Sequence, residues 1–344
     1  MWKSLLPILP IVSANLFAAV PDAPLVIAHR GASGYLPEHT LEAKVLAFAQ
    51  GADYLEQDVV MTADDALVVF HDLTLERVTD VAARFPGRAR DDGGYYVIDF
   101  TLDELRELQV GETQYPTRFP AGRSRFAIHT LQEELELIAG LQRSTGRAVG
   151  IYPELKSPWF HHQHGKDLAA ATLRVLKEYG YDRRTDAVFV QSFDYAELVR
   201  VHDELLPALG MDVKLVQLIA ENAWQETFAR DAEGSWVPYD YDWMRRPEGL
   251  RQLARIADGV GPAYAMLVDA EAGSARPNGF AAAARAAGLA VHPYTFRSDA
   301  LPSWAASFED LLRLFIDDIG VDGVFTDFPD KALYFLQNTR AVGP

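Results

Sequence analysis

The sequence predicts a (β/α)8 barrel with an inserted cap, and three observations carry that expectation. Short β-branched runs alternate with amphipathic helical stretches along the chain, which argues for βα units and a largely parallel sheet. The length, 344 residues, suits one large α/β barrel. Hydrophobic residues make up 49% and charged residues 24%, an ordinary globular composition with enough apolar surface for a full core.

The first strand-like run is 25–30 (LVIAHR). Thr40 is placed to cap a helix over 41–50, which Gly51 ends. Further strand-like runs are 53–60, 66–71, 149–155, 187–192, 213–219, 257–261, 290–295 and 321–326. Helical periodicity occupies 130–142, 166–179, 195–207, 247–257, 278–287 and 307–319. Nine strand candidates thus compete for eight barrel places, and periodicity does not say which lies outside. The link from Asp58 to Leu67 is too short for a helix, so the second and third strands are expected to lack a crossover helix. Residues 74–128, polar and rich in Gly and Pro with one short helix at 102–108, read as a cap insertion. Residues 221–246, rich in Trp and Tyr, read as a second insertion.

The chain ends and the charge narrow the function. Lys3, the apolar run 5–12 (LLPILPIV) and small residues at Ala14 and Ala18-Ala19 predict a cleaved signal peptide over 1–19. That run is too short, and holds too many prolines, to span a bilayer, so an exported protein with a single barrel domain over 20–344 and no stable membrane insertion is expected. The formal net charge of −17 disfavours nucleic acid as a partner and requires local cations for any anionic substrate. With no cysteine, the chain has no disulfide, thiol nucleophile or Cys-zinc site.

Four segments place polar side chains at strand ends, where a barrel's active site lies. They are His29-Arg30, the pair Glu56 and Asp58, His71-Asp72, and the pair Glu154 and Lys156. Period two puts Glu56 and Asp58 on one face of a strand otherwise flanked by apolar residues. Two such acids repel unless a cation lies between them. Glu56, Asp58 and Glu154 suit a hard divalent cation, Ca²⁺ or Mg²⁺. His29 and His71 suit paired acid–base work near neutral pH, and Arg30 and Lys156 suit a phosphate. The set reads as phosphodiester cleavage on a small-molecule substrate. Phe193 is expected as an apolar wall for substrate or a core residue. His161-His162-x-His164 is read as a loop cluster rather than a zinc site, and Trp224, Trp236 and Trp243 as packed aromatics or a surface for a cationic headgroup.

The segments HRGASGYLPEHT (29–40), YLEQDVVMTADDALVVFHD (54–72), PELK (153–156), QSFD (191–194), VHPYTFRSD (291–299) and GVFTDFPD (323–330) resemble glycerophosphodiester phosphodiesterases. Stretches such as 77–105 and 151–167 resemble the periplasmic, glycerol-phosphate-pathway type, from about residue 25 to the end. The resemblance implies a phospholipase C-like TIM barrel whose cap sits at 74–128, and a periplasmic location. It implies His29 and His71 as the acid–base pair, Glu56, Asp58 and Glu154 as ligands of Ca²⁺, and Arg30 and Lys156 on the phosphate. The implied reaction releases sn-glycerol 3-phosphate and an alcohol, with attack by a glycerol hydroxyl as a first step by likeness to related phospholipases. His39 stands where the wider family often has Asn. Two alternatives stand beside this reading: a phospholipase C- or D-like enzyme on intact lipid, and a non-catalytic binding protein of the periplasm or cell surface.

Overall fold

The computed structural model describes residues 23–340, apart from 116, 121–124 and 272. The leader expected over 1–19 therefore lies outside the described residues. Eight parallel strands form the central sheet: β1 (Leu25–Ala28), β2 (Tyr54–Met61), β3 (Gly150–Leu155), β4 (Phe189–Ser192), β5 (Lys214–Ile219), β6 (Gly259–Pro262), β7 (Ala290–Val291) and β8 (Gly323–Thr326). They lie side by side in the order β7-β6-β5-β4-β3-β2-β1-β8. Hydrogen bonds from Phe296 N to Phe325 O (2.8 Å) and from Asp322 N to Val291 O (3.0 Å) bring the segment after β7 back onto β8. The result is a nearly closed barrel.

The helices are amphipathic elements that follow the strands: α1 (Leu41–Gln50), α2 (Leu131–Thr145), α3 (Leu168–Glu178), α4 (Tyr195–Arg200), α5 (Pro247–Leu253), α6 (Phe280–Ala286), α7 (Phe308–Arg313) and α8 (Pro329–Arg340). Their starts are chemically marked. Thr40 accepts from Ala43 N, Thr130 and Glu133 form a reciprocal capping box, and Asp194 accepts from Glu197 N. Their apolar faces cover the barrel wall in two large buried clusters.

The ninth strand candidate is the one outside the barrel. Residues 67–69 turn back and pair antiparallel with the far end of β2, Val59 with Val69 and Met61 with Leu67. The 58–67 link is thus a hairpin, not a helix-free parallel crossover; a strand that reverses needs no crossover. Val60, Val68, Phe70 and Phe100 start a separate apolar cluster that continues through residues 75–128, and this cluster roofs the β2 end of the barrel. Two small antiparallel hairpins had no clear sequence signal, 228–230 with 236–238 and 268–271 with 274–277.

Alternation along β2 and β3 divides the barrel interior into layers. Tyr152, stacked on Phe189 (4.9 Å between centroids) and set edge-on to Phe325 (5.0 Å), fills the lower barrel, and its hydroxyl meets His292 Nδ1 at 2.9 Å. Two residues on, Glu154 shares that face, as Glu56 follows Tyr54. The aromatic layer is therefore the floor beneath the acids. On the outer face of β2, Gln57 donates to Glu134 (2.7 Å), which also takes Lys44 Nζ (2.9 Å) and His129 Nε2 (2.7 Å). Lys44 and Glu134 are fully buried. Burial pushes the Glu134 carboxyl up, but Lys44 and the His129 hydrogen bond outweigh it and bring it down to about 2.

Lys44→Met leaves Glu134 buried without its ammonium and should cost roughly 3–5 kcal/mol, read as a fall in denaturant midpoint. Wild-type stability in a urea series should confirm that the cluster is tight: the Glu134 contribution is fully present above the ordinary carboxylate range and disappears as pH falls toward 2.

Candidate active site

The upper mouth of the barrel holds a cavity of about 390 Å³ lined by His29, Arg30, Glu56, Asp58, His71, Glu154, Lys156 and Phe193, so the eight residues singled out in the sequence meet in one place. Two backbone facts put them there. Parallel pairing sets Asp58 opposite Glu154, with Glu154 in turn opposite Gln191. The turn after β1 runs through left-handed residues Arg30 (φ +58°) and Gly31 (φ +87°). A Cβ on Gly31 would lie 2.8 Å from the Ala43 carbonyl carbon, so this turn packs tightly on α1. Arg30 N then donates to Glu56 Oε2 at 2.8 Å.

Carboxylate oxygens of Glu56, Asp58 and Glu154 lie within 4.8 Å of one another, and all three side chains are buried. Burial, and then the Asp58 charge, push Glu56 up to about 8. Glu154 is likewise raised well above the carboxylate range by burial, against the pull of Lys156 2.8 Å away. Asp58 stays low despite its burial, because His39 Nε2 donates to its Oδ2 at 2.7 Å. Its Oδ1 is buried with no partner among the described residues. Three crowded acids, two of them resisting ionisation and one with a free oxygen, fit a bound divalent cation.

Each histidine is backed by an aspartate. His29 Nδ1 donates to Asp327 Oδ1 at 2.6 Å, which leaves Nε2 facing the cavity 3.9 Å from Glu56 Oε2. Burial, reinforced by Arg30, lowers His29 to about 4 despite Asp327. His71 Nδ1 bonds Asp72, and its Nε2 lies 3.3 Å from Lys156 Nζ. Burial, then Arg30 and Lys156, lower His71 as well. Both imidazoles are therefore neutral at pH 7 before an anion enters. Arg30 Nη1 donates to Glu38 (2.8 Å), and its Nε approaches Asp58 (3.5 Å). Lys156 Nζ lies 5.6 Å from the Phe193 ring centre.

The 29–331 segment matches the model of the glycerophosphoryl diester phosphodiesterase family. The chain belongs to that family. A Haemophilus influenzae glycerophosphodiester phosphodiesterase is 52% identical over 331 residues, covering 92% of this chain and 90% of that protein. One from Treponema pallidum is 45% identical over 338 residues, with 94% and 95% covered. A solved structure from Silicibacter pomeroyi, provisionally named as a glycerophosphoryl diester phosphodiesterase, is 28% identical with a TM-score of 0.64, covering 93% of this chain and 95% of that one.

In this family member, several site residues escaped the sequence reading. Asp327, buried after β8, accepts from His29, Arg118 (2.8 Å) and Arg297 (2.8 Å). Asp72 accepts from Arg77, and Glu38 bridges Arg30 and Arg77. Asp72 and Asp327 had a signal, an acid soon after a strand, and Asp72 stands beside His71, but nothing in sequence pairs Asp327 with His29. The histidines at 161, 162 and 164 are structural. His161 Nε2 accepts from Met61 N (3.1 Å) and Nδ1 donates to Ser157 O (3.1 Å); His162 faces Glu197 and His164 faces Phe160 O. These rings diverge and share no ligand position.

Asp327→Asn should keep the fold yet free His29 to turn and take the wrong tautomer. A fall in kcat of roughly 10³–10⁴, with KM little changed, is expected in steady-state assays on a soluble glycerophosphodiester. In ¹⁵N spectra His29 should remain neutral from pH 8 down to about 5 in the metal-free protein, since its site binds a proton only near pH 4.

Proposed function

We propose that the protein hydrolyses soluble glycerophosphodiesters to sn-glycerol 3-phosphate and the free alcohol. The observation that carries this reading is the convergence of two aspartate-backed histidines on a buried three-carboxylate cluster flanked by Arg30 and Lys156. The names of the relatives that the chain spans almost end to end support the substrate class.

Glu56, Asp58 and Glu154 would hold a divalent cation, Ca²⁺ as first choice and Mg²⁺ as second. When bound, the cation supplies positive charge to the phosphate oxygens. The chain's own groups do the rest. Arg30 and Lys156 draw the phosphodiester into the mouth and neutralise it further. Its negative charge raises the basicity of both imidazoles, so that one of them takes up a proton from solvent as the substrate binds. The other takes the proton from a glycerol hydroxyl as that hydroxyl's oxygen bonds to phosphorus. The protonated one gives its proton to the departing alcohol oxygen as the second phosphorus–oxygen bond breaks. The cyclic phosphate so formed is later opened by water, with the two histidine roles reversed, to give sn-glycerol 3-phosphate. Asp327 and Asp72 stabilise each imidazolium in turn. Phe193 forms the apolar side of the cavity beside Lys156.

A periplasmic location is part of the same proposal, and its support is the leader-like sequence of residues 1–19. Among the described residues no helix is long and apolar enough to cross a membrane.

Release of glycerol 3-phosphate from glycerophosphocholine should stop on metal stripping with EDTA and return with Ca²⁺ or, more weakly, Mg²⁺. Turnover by a verified metal-free protein would overturn the cation assignment. Glu56→Ala should behave like the stripped enzyme, and His71→Ala should lose roughly 10²–10⁴ in kcat with metal present. Full activity in a folded His71→Ala protein would sink the acid–base assignment.

A further inference from the structure

Both histidine–aspartate pairs of the mouth are backed by an arginine, and both arginines come from the 74–128 segment. Behind His71, Asp72 accepts from Arg77 Nε, and Arg77 Nη2 donates to Glu38 Oε1. Behind His29, Asp327 Oδ1 takes the imidazole, while its Oδ2 takes Arg118 Nη2 and Arg297 Nε, each at 2.8 Å. Residues 111–115 run between the two arginines. Gly111 N donates to Val78 O (2.9 Å), Thr113 Oγ1 donates to Arg77 O, and the Tyr115 ring centre lies 3.7 Å from the Arg118 guanidinium. One short stretch of the roof thus reaches behind both imidazoles.

Arg118 is the better buried of the two, with its side chain 4% exposed against 28% for Arg77. Its Nε and Nη2 hold Asp299 in a fork at 2.8 and 3.0 Å, and Nη2 gives its second hydrogen to Asp327. Nη1 donates to Ser33 O at 3.2 Å, and Ser33 Oγ donates to His29 O at 2.7 Å. The guanidinium therefore grips His29 by two routes, through the carboxylate on its ring and through the turn that carries its backbone. A carboxylate tied at Oδ2 by two charge-assisted bonds cannot rotate without giving them up. Oδ1 stays where the Nδ1 proton meets it, and Nε2 stays turned to the cavity. A lysine ammonium, a single point charge, cannot reproduce that fork.

We propose that Arg118 and Arg77 are positioning residues for His29 and His71, each acting through the aspartate behind its histidine, so that the 74–128 segment is a working part of the acid–base machinery. This rests on the glycerophosphodiesterase reading above. Neither arginine lines the cavity, whereas Arg30 and Arg297 do. Substrate binding is therefore left to other groups, and the loss of either arginine should be felt in the proton transfers. That predicts a change in kcat with KM nearly constant. An anchor that merely held the roof in place would act differently, since a loosened roof would disturb binding as much as turnover.

The test measures kcat and KM for glycerol 3-phosphate release from glycerophosphocholine in the wild type, Arg118→Met, Arg118→Lys and Asp299→Asn. Arg118→Met should lower kcat by roughly 10- to 100-fold with KM little changed, the size expected when the group orienting a catalytic side chain is lost. Arg118→Lys should recover part of that loss. Asp299→Asn, which leaves the Arg118–Asp327 bond in place, should cost far less than Arg118→Met. The deciding comparison is a double-mutant cycle: added to Asp327→Asn, Arg118→Met should slow turnover little further, because the carboxylate it holds is already gone. Arg77→Met added to Asp72→Asn gives the same cycle for His71. In ¹⁵N spectra at pH 8, His29 should carry its proton on Nδ1 alone in the wild type and populate both tautomers in Arg118→Met. Losses that multiply in the cycle, a rise in KM equal to the fall in kcat, or an unchanged His29 tautomer in Arg118→Met would overturn the proposal. If Arg118→Met does not fold, Arg118→Lys carries the same cycle and spectra. A wild type that cleaves no diester would strike the enzyme reading instead, and the tautomer measurement, which needs no turnover, would still decide the role of Arg118.

Discussion

Glu56 and Asp58 on β2 and Glu154 on β3 are held together by strand pairing that the rest of the barrel enforces, and their mutual repulsion is the constraint around which the mouth is built. Each is out of water, where a lone carboxylate is costly. The chain answers the problem unevenly. It gives Asp58 a buried histidine, gives Glu154 a lysine, and gives Glu56 the amide of Arg30 and the Gln191 side chain at 3.1 Å. These contacts fix the three side chains in place but do not match three negative charges. The shortfall is what makes the cluster a cation site rather than a set of satisfied salt bridges.

The same shortage of positive charge shapes the surroundings of the mouth. Arg30, Arg77, Arg118 and Arg297 are each tied to a carboxylate, so their positions are set before any anion arrives. Arg118, in the 74–128 segment, reaches Asp327 and Asp299 on the barrel, linking the roof to the residue that orients His29. On the opposite face of β2, the buried Lys44–Glu134 pair locks α1 and α2 to the strand that carries two of the three acids. Energy invested in those buried pairs is energy spent on position. Replacing them by apolar residues need not weaken the fold, but it would loosen the strand from which the site is built.

Much of this was legible in the sequence because strand period and strand-end position are local properties. Glu56 and Asp58 had to share a face, and Tyr152, Glu154 and Lys156 had to share theirs, whatever the tertiary structure. The direction of residues 67–69 was not legible, since a three-residue run pairs equally well either way until a turn fixes it. Pairings across large sequence separations were hidden for a different reason. Nothing near Asp327 indicates that its partner is His29, 298 residues earlier, and nothing near His39 indicates that its ring completes Asp58. His161, His162 and His164, read in the sequence as a loop cluster rather than a zinc site, lie on and just after a short helix at Pro158–Gln163, where His161 satisfies Met61 N and His162 faces Glu197. The tryptophan-rich stretch divided in a way composition does not reveal, with Trp236 and Trp243 in the packing of the 221–246 segment and Trp224 at the cavity.

The claim on which all of this turns is that the three acids require one divalent cation in order to be ionised together. Calorimetric titration of metal-stripped protein with Ca²⁺ near pH 7, repeated in buffers of different ionisation enthalpy, tests it most directly. The account predicts one ion per chain and protons released to the buffer on binding, because burial and the Asp58 charge push Glu56 up to about 8 and keep its carboxyl protonated near pH 7 until the cation arrives. A folded protein that binds no ion, or that binds one with the same heat in every buffer, would contradict it.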